Sequence, residues 1–231
     1  MEVQEILPVQ HPVRGTVRPP GSKSITNRAM VLAALADGPV TLTGVLDSQD
    51  TQVMVESLRR LGFSVRKDIS DCTCHILGHA GRIPAASADL WLENSGTSIR
   101  FLTGLCALGT GIYRLDGSAR MRQRPIGDLV RALQPLGAAI DFQTPGTDCP
   151  PLLIDGRRGH MQGGTTNIAG NISSQFLSSL LMCGPACSAP VTVTVSGDLV
   201  SQPYVQMTLR MIQHFGGRID APSDLSHFQI H

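Results

Sequence analysis

Apolar positions along this chain follow two rhythms, and the order in which they alternate predicts its elements. From Ile25 to Ala36 the residues are apolar at helical spacing and stop at Asp37-Gly38-Pro39, so a helix is predicted there, followed by a short strand over Val40 to Leu46. Asp47-Ser48-Gln49-Asp50 then caps a second helix over about 51–61, in which Val53, Leu58 and Leu61 share a face; it ends at Gly62, and Phe63-Ser64-Val65 opens the next strand. Residues 3–18 alternate loosely and read as a strand or hairpin leading in.

The same order returns twice. Asn94-Ser95-Gly96-Thr97-Ser98 opens a helix through Phe101, Leu102, Leu105 and Leu108, a strand follows over Ile112 to Leu115, and Arg124-Pro125 opens a helix that ends before Gly137. Asn171-Ile172-Ser173-Ser174-Gln175 opens the third set, with a helix from Phe176 to Met182, a strand from Val191 to Val195 and a helix after Ser201-Gln202-Pro203-Tyr204 that ends at Gly216. The glycines Gly62, Gly137 and Gly216 lie 75 and 79 residues apart, and the first helices start near Ser24, Gly96 and Ser174, 72 and 78 apart. Both ladders keep one period, of roughly 75 residues, which is the mark of an internal repeat. A single unit of this size cannot bury its own sheet, so three are expected to pack about an approximate threefold axis and share a core. The fold class predicted is α/β (α+β), with repeat units at about 19–88, 89–157 and 158–231. Such symmetry brings three capped helix starts to one end, where N–H and O–H donors suit a polyanionic small molecule.

The first of these starts is the richest. Pro19-Pro20-Gly21 ends what precedes it and turns the chain, Ser22 or Ser24 can cap the helix, and Lys23 and Arg28 add charge to the positive end of its dipole. Arg28 lies four residues after Ser24 and is expected to reach back over the same face. An ordinary capped helix with solvated cations is the plain alternative. Arg100, three residues after Thr97, can turn toward the same end or form a surface ion pair. Arg120, Arg122 and Arg124 crowd one loop, and Arg124 before a helix start set by Pro125 suits bidentate binding of phosphate or carboxylate, with a solvated basic loop as the alternative. Ser173, Ser174 and Gln175 offer hydroxyls and an amide, or simple capping. Ser201 and Tyr204 flank Pro203 in a comparable way.

Composition narrows the classes further. The 231 residues are 42% hydrophobic and 16% charged, as in a soluble globular protein, and the formal net charge of +1 with 4% aromatics argues against nucleic-acid binding. No apolar run is long enough to span a membrane and the first residues lack the regions of a signal peptide, so a cytoplasmic location is expected. The six cysteines sit mostly in apolar surroundings and read as reduced thiols. Cys72-Thr73-Cys74-His75 with His79 offers chelating types without the paired zinc spacing, and Ile76-Leu77 between them reads as strand. Gly21-Ser22-Lys23-Ser24 is like the end of a Walker A loop, but Ser22 stands where that motif needs the glycine before its lysine, and the motif's first glycine is missing as well. No metal and no cofactor are expected.

In order along the chain, Pro20-Gly21-Ser22-Lys23-Ser24 with Asn27-Arg28-Ala29, Asn94-Ser95-Gly96-Thr97 with Arg100, Arg120-Met121 with Arg124-Pro125-Ile126, Ser173-Ser174-Gln175-Phe176, and Ser201 with Pro203-Tyr204 form a signature. Together they make the chain resemble the N-terminal half of the 3-phosphoshikimate 1-carboxyvinyltransferase (5-enolpyruvylshikimate-3-phosphate synthase) family. The resemblance implies an enolpyruvyl transferase lobe of three helix-sheet units about a pseudo-threefold axis, spanning residues 19–231. It also implies a second lobe, with residues 1–18 as a lead-in packing on it. The implied reaction moves the enolpyruvyl group of phosphoenolpyruvate to the 5-hydroxyl of shikimate 3-phosphate, releasing phosphate, on the route to chorismate and the aromatic amino acids.

By resemblance, Lys23, Ser24, Arg28, Ser173, Ser174, Gln175, Ser201 and Tyr204 hold shikimate 3-phosphate. Lys23, Gly96, Arg124 and Gln175 face phosphoenolpyruvate, with Asn94, Thr97 and Arg100 in support. Lys23 is the catalytic candidate, as proton carrier or fixed charge. A side chain at Gly96 is expected to intrude on the donor and on glyphosate, the family's inhibitor, although Phe101 stands where well-known bacterial members carry proline. UDP-N-acetylglucosamine 1-carboxyvinyltransferase is the nearest rival, but it uses a lysine-asparagine pair where this chain has Lys23-Ser24, and a loop cysteine that 112–124 lacks. A non-catalytic polyanion-binding module is the other alternative. Family members run to roughly twice this length, so a partial, monomeric chain with little or no turnover alone is expected.

Overall fold

The computed structural model describes residues 4–5 and 7–231. Its helices are α1 (Lys23–Leu35), α2 (Gln49–Arg60), α3 (Gly96–Ala107), α4 (Gly127–Leu133), α5 (Ser174–Cys183) and α6 (Gln202–His214). The strands of the first unit are β1 (Asp37–Thr43), β2 (Ser64–Asp68) and β3 (Thr73–His79), and those of the second are β4 (Ser87–Trp91), β5 (Ile112–Asp116), β6 (Ile140–Phe142) and β7 (Leu152–Asp155). The third unit holds β8 (Gly164–Ala169), β9 (Val191–Ser196), β10 (Ile219–Asp220) and β11 (His227–Ile230).

The helix sequences explain the layering. In α3 every residue but Arg100 is buried, and in α5 every residue but Gln175. Helices apolar on all sides belong inside, and α1, α3 and α5 pack on one another at the centre. The alternate helices are amphipathic: α6 buries only Val205, Thr208 and Ile212, a single stripe. Each bridges two central helices, α2 between α1 and α3, α4 between α3 and α5, and α6 between α5 and α1. This is the expected threefold arrangement, with one sheet per unit outside it.

The sheets repeat as well. The second runs β4-β5-β7-β6 and the third β8-β9-β11-β10, and in each the strand before the central helix pairs parallel with the strand after it. The first sheet is β1-β3-β2, one strand short, and both its pairings are antiparallel. The lead-in that occupies the corresponding place in the sequence forms no strand over 7–22, against the expected strand or hairpin; residues 3 and 6 of that expectation lie outside the described residues. Leu7, Val9, Val13 and Val17 are each at least 74% exposed, so nothing in this lobe rewards their pairing.

Other boundaries move for local reasons. The first strand begins at Asp37 and not at Val40, because β1 lies at the edge of its sheet, where Pro39 is tolerated, and it stops at Gly44 with φ +68°. Arg124 does not lead directly into a helix. It sits extended before Pro125, as a residue preceding proline must, after a 3-10 turn over Met121–Gln123, and α4 starts at Gly127. Gly62, Gly137 and Gly216 all have positive φ, +88°, +108° and +87°, closing the second helical segment of each unit in the same left-handed turn.

Candidate active site

The starts of α1, α3 and α5 are capped by serines, Ser22 accepting from the Ile25 N–H, Ser95 from the Ser98 N–H and Ser173 from the Gln175 N–H. Side chains tie the three starts together. Lys23 Nζ lies 3.4 Å from Asp50 Oδ2, and Asp50 Oδ1 accepts from Ser95 Oγ at 2.6 Å, joining α1 to α3 through the first turn of α2. Gln175 Nε2 donates to Thr97 Oγ1 at 3.2 Å and its Oε1 accepts from Arg100, joining α3 to α5. The Arg100 guanidinium also lies over the Phe176 ring, 5.1 Å from its centre. Arg124 enters from its own loop and donates to the Asn94 carbonyl at 3.0 Å, beside Gly96.

Arg28 joins the remaining pair of helices. Its side chain does reach back to Ser24, but to the carbonyl, at 3.0 Å, while Nε donates to Thr208 Oγ1 at 2.8 Å and Nη2 to Ser178 Oγ at 2.9 Å. The guanidinium is packed near the rings of Phe101 and Tyr204, 5.0 and 5.9 Å from their centres, and the residue is 1% exposed. Burial lowers its pKa to about 10, against a small opposing influence of Tyr204; Arg100 is lowered to about 10 by burial and then by the charge of Arg124. Both stay cationic at neutral pH, so this end of the lobe is strongly positive.

The structure therefore brings Lys23, Asn94, Gly96, Thr97, Arg100, Arg124 and Gln175 into one connected cluster, and places Arg28 and Tyr204 next to it. Ser24 sits at the start of α1 and Ser174 is buried at the start of α5. Ser201 adopts a left-handed conformation, φ +57°, and makes no capping bond, so it does not cap α6 as Ser173 caps α5. Of the other loop cations, Arg122 is drawn away into an ion pair with Asp116. A cavity of about 850 Å³ runs from the Ser22 cap of α1 along its flank, lined mostly by apolar residues including Ile25, Ala29, Val40, Leu42, Met211 and Phe215.

Sequence reasoning missed Asp50, Ser178 and Thr208. In the sequence Asp50 reads only as part of a helix cap. The other two lie mid-helix, and only their helical spacing from expected site positions, four residues after Ser174 and after Tyr204, could have pointed to them. The chelating types at Cys72, Cys74, His75 and His79 do not cluster: Cys74 is buried in β3, and His75 Nδ1 shares a hydrogen bond with Thr41 Oγ1.

Comparison with known proteins agrees with this arrangement. The family model described as EPSP synthase (3-phosphoshikimate 1-carboxyvinyltransferase) matches residues 8–231. The 3-phosphoshikimate 1-carboxyvinyltransferase of Laribacter hongkongensis is 50% identical over 218 residues, 94% of this chain and 50% of that protein; the Paraburkholderia phymatum enzyme is 45% identical over 209 residues, 89% of this chain and 47% of that protein. An EPSP synthase structure from Acinetobacter baumannii superposes with a TM-score of 0.79 at 25% identity, covering 94% of this chain and 46% of the other. The enolpyruvyl transferase NikO from Streptomyces tendae shares the fold, with a TM-score of 0.67 at 19% identity over 96% of this chain and 49% of that one. The chain spans about half the length of the curated relatives it matches. Matched by the family model over residues 8–231 and 50% identical to a relative across 94% of its length, the chain belongs to the EPSP synthase (3-phosphoshikimate 1-carboxyvinyltransferase) family.

Proposed function

We propose that this lobe supplies half of an active site that transfers the enolpyruvyl group of phosphoenolpyruvate to the 5-hydroxyl of shikimate 3-phosphate. The observation that carries the reading is the joining of three helix starts by Lys23–Asp50–Ser95 and Thr97–Gln175–Arg100, with Arg124 at Gly96. Helix N-termini and guanidinium groups favour phosphate and carboxylate, which both substrates carry.

In this reading Lys23, Ser24, Arg28, Ser173, Ser174, Gln175, Ser201 and Tyr204 hold shikimate 3-phosphate, with Arg28 acting from beneath as a buried cation. Lys23, Gly96, Arg124 and Gln175 receive phosphoenolpyruvate, and Asn94, Thr97 and Arg100 fix their positions. The tetrahedral adduct between the substrates carries both phosphate and carboxylate, and cations set in place before it forms stabilise it without reorganisation. Lys23 provides fixed charge or carries a proton. Residues 19–231 form the lobe, and 1–18 pack on a second lobe that brings the remaining acid-base groups. The free thiols among the described residues fit a reducing, cytoplasmic setting, and glyphosate is a candidate competitor at the donor subsite of a monomeric lobe.

Calorimetric titration with shikimate 3-phosphate tests the reading, with shikimate and UDP-N-acetylglucosamine as controls. Saturable binding of shikimate 3-phosphate alone is expected. Preference for UDP-N-acetylglucosamine would contradict the acceptor, and equal binding of all small phosphates would favour a non-catalytic anion module.

A further inference from the structure

Lys23 is half exposed, and the one hydrogen bond its ammonium makes among the described residues is to Asp50. Asp50 itself is far more constrained. It is the second residue of α2, behind the Ser48 cap, where the N–H groups and dipole of the helix favour a carboxylate. Its Oδ1 takes the Ser95 hydroxyl at 2.6 Å, and its carbonyl takes the Ser98 hydroxyl at 3.3 Å. Ser95 is the residue that caps α3, directly before Gly96.

The two ends of this ion pair are thus unequal. One carboxylate oxygen is anchored to the α3 cap, while the other meets Lys23 at 3.4 Å, longer than a tight charge-assisted bond of about 2.8 Å. Lys23 sits on a flexible four-carbon stem and can leave; Asp50 cannot follow it. Any anion that takes Lys23 at the starts of α1 and α3 must draw the ammonium from a carboxylate that stays in place.

We propose that Asp50 is a specificity-determining counter-ion of this site: it occupies Lys23 until an anion competes for it, and so favours ligands with several charged oxygens over those with one. The proposal rests on Lys23 being the cation of the site, as argued above. A fixed negative charge beside an anion site weakens all anions, but proportionately most those that have a single group with which to displace it.

The test is calorimetric titration of the 231-residue chain at low ionic strength, where exposed charges are least screened. Inorganic phosphate, phosphoenolpyruvate and pyruvate are titrated into wild type, Asp50→Asn, Asp50→Glu and Lys23→Ala, each checked for native circular dichroism. Asp50→Asn is expected to bind inorganic phosphate about two- to fivefold more tightly, to narrow the preference for phosphoenolpyruvate over pyruvate, and Asp50→Glu to restore wild-type behaviour. A merely structural role predicts weaker binding instead. Folded Asp50→Asn with phosphate binding equal to or weaker than wild type, alongside a clear loss in Lys23→Ala, would overturn the counter-ion proposal alone. Wild-type and Lys23→Ala titrations that coincide would overturn the site reading and the proposal with it.

Discussion

Arg124 lies across the bare Cα of Gly96, so close that a Cβ built on Gly96 would fall within 2.6 Å of the guanidinium carbon and both terminal nitrogens. The glycine thus makes room first for an arginine of its own chain. From the sequence a ligand is expected against Gly96; the nearest obstacle is the group expected to hold that ligand. Gly96→Ala should push Arg124 off its bond to the Asn94 carbonyl and weaken phosphoenolpyruvate binding about tenfold or more, as loss of a bidentate charged contact does. Because the obstacle is the end of a flexible side chain, the fold should hold. A calorimetric affinity equal to wild type would rule out this account of Gly96.

Among the described residues no carboxylate pairs with Arg28; it is held by two hydroxyls, a carbonyl and two aromatic rings. Thr208 is central, accepting from Arg28 Nε and donating to the Tyr204 carbonyl at 2.8 Å. Thr208→Val removes these bonds, and the one the hydroxyl shares with Ser178 Oγ at 2.9 Å, at nearly constant volume, and leaves the buried charged Nε–H of Arg28 unpaired. A loss of about 2–3 kcal/mol in urea unfolding is expected, and a loss below about 0.5 kcal/mol would show that water or another group replaces the hydroxyl.

Asp116 ends β5 as a buried carboxylate 1% exposed, gripped by Arg122 through two bonds of 2.6 and 2.9 Å, by Arg114 at 2.6 Å and by the Gly117 N–H at 2.8 Å. Burial alone would raise its pKa, but the bonds from Arg122, Gly117 and Arg114 outweigh burial and hold it below the ordinary value. A carboxylate depressed in the folded state contributes stability above its unfolded pKa of about 3.9 and loses it as pH falls through the lower folded value. Asp116→Asn should therefore cost about 3 kcal/mol at pH 7, the low end for a broken buried pair because the arginines left behind reach solvent. The gap to wild type should close as the pH falls below about 4, and a gap independent of pH in denaturant titrations would contradict the ionic account.

The periodicity of apolar residues, the serine caps and the three helix-ending glycines were legible in the sequence because each acts within a few residues of itself. The pattern also pointed to Lys23, Gly96, Arg124 and Gln175 as chemistry at helix starts. What stayed hidden depends on partners distant in sequence. Arg28 reads as a cation reaching over the α1 start, and its burial against Thr208 shows only once α6 brings that residue beside it, 180 residues away. Asp50 reads as a capping acid until α3 presents Ser95. Val13 and Val17 alternate like strand residues, but strands form only against an edge, and residues 7–20 lie exposed.

The repeat makes a graded prediction at its glycines. Alanine at Gly216 meets nothing within 4 Å, so only the left-handed backbone, φ +87°, opposes it, at about 1–2 kcal/mol. Alanine at Gly137 adds a clash with the His160 carbonyl oxygen at 2.6 Å and should cost distinctly more. Thermal unfolding of the two variants should follow that order, and the reverse order would rule out the His160 carbonyl as the source of the added cost.

If three helix starts form one anion site, a ligand bound there is felt at all three together. Amide NMR of the chain during titration with shikimate 3-phosphate tests it most directly. Saturable shifts with one common affinity are expected at Lys23 and Ser24, at Gly96 and Thr97, and at Ser174 and Gln175. Saturable shifts confined to a single helix start, or clustered in the apolar cavity around Val40 and Phe215, would contradict it.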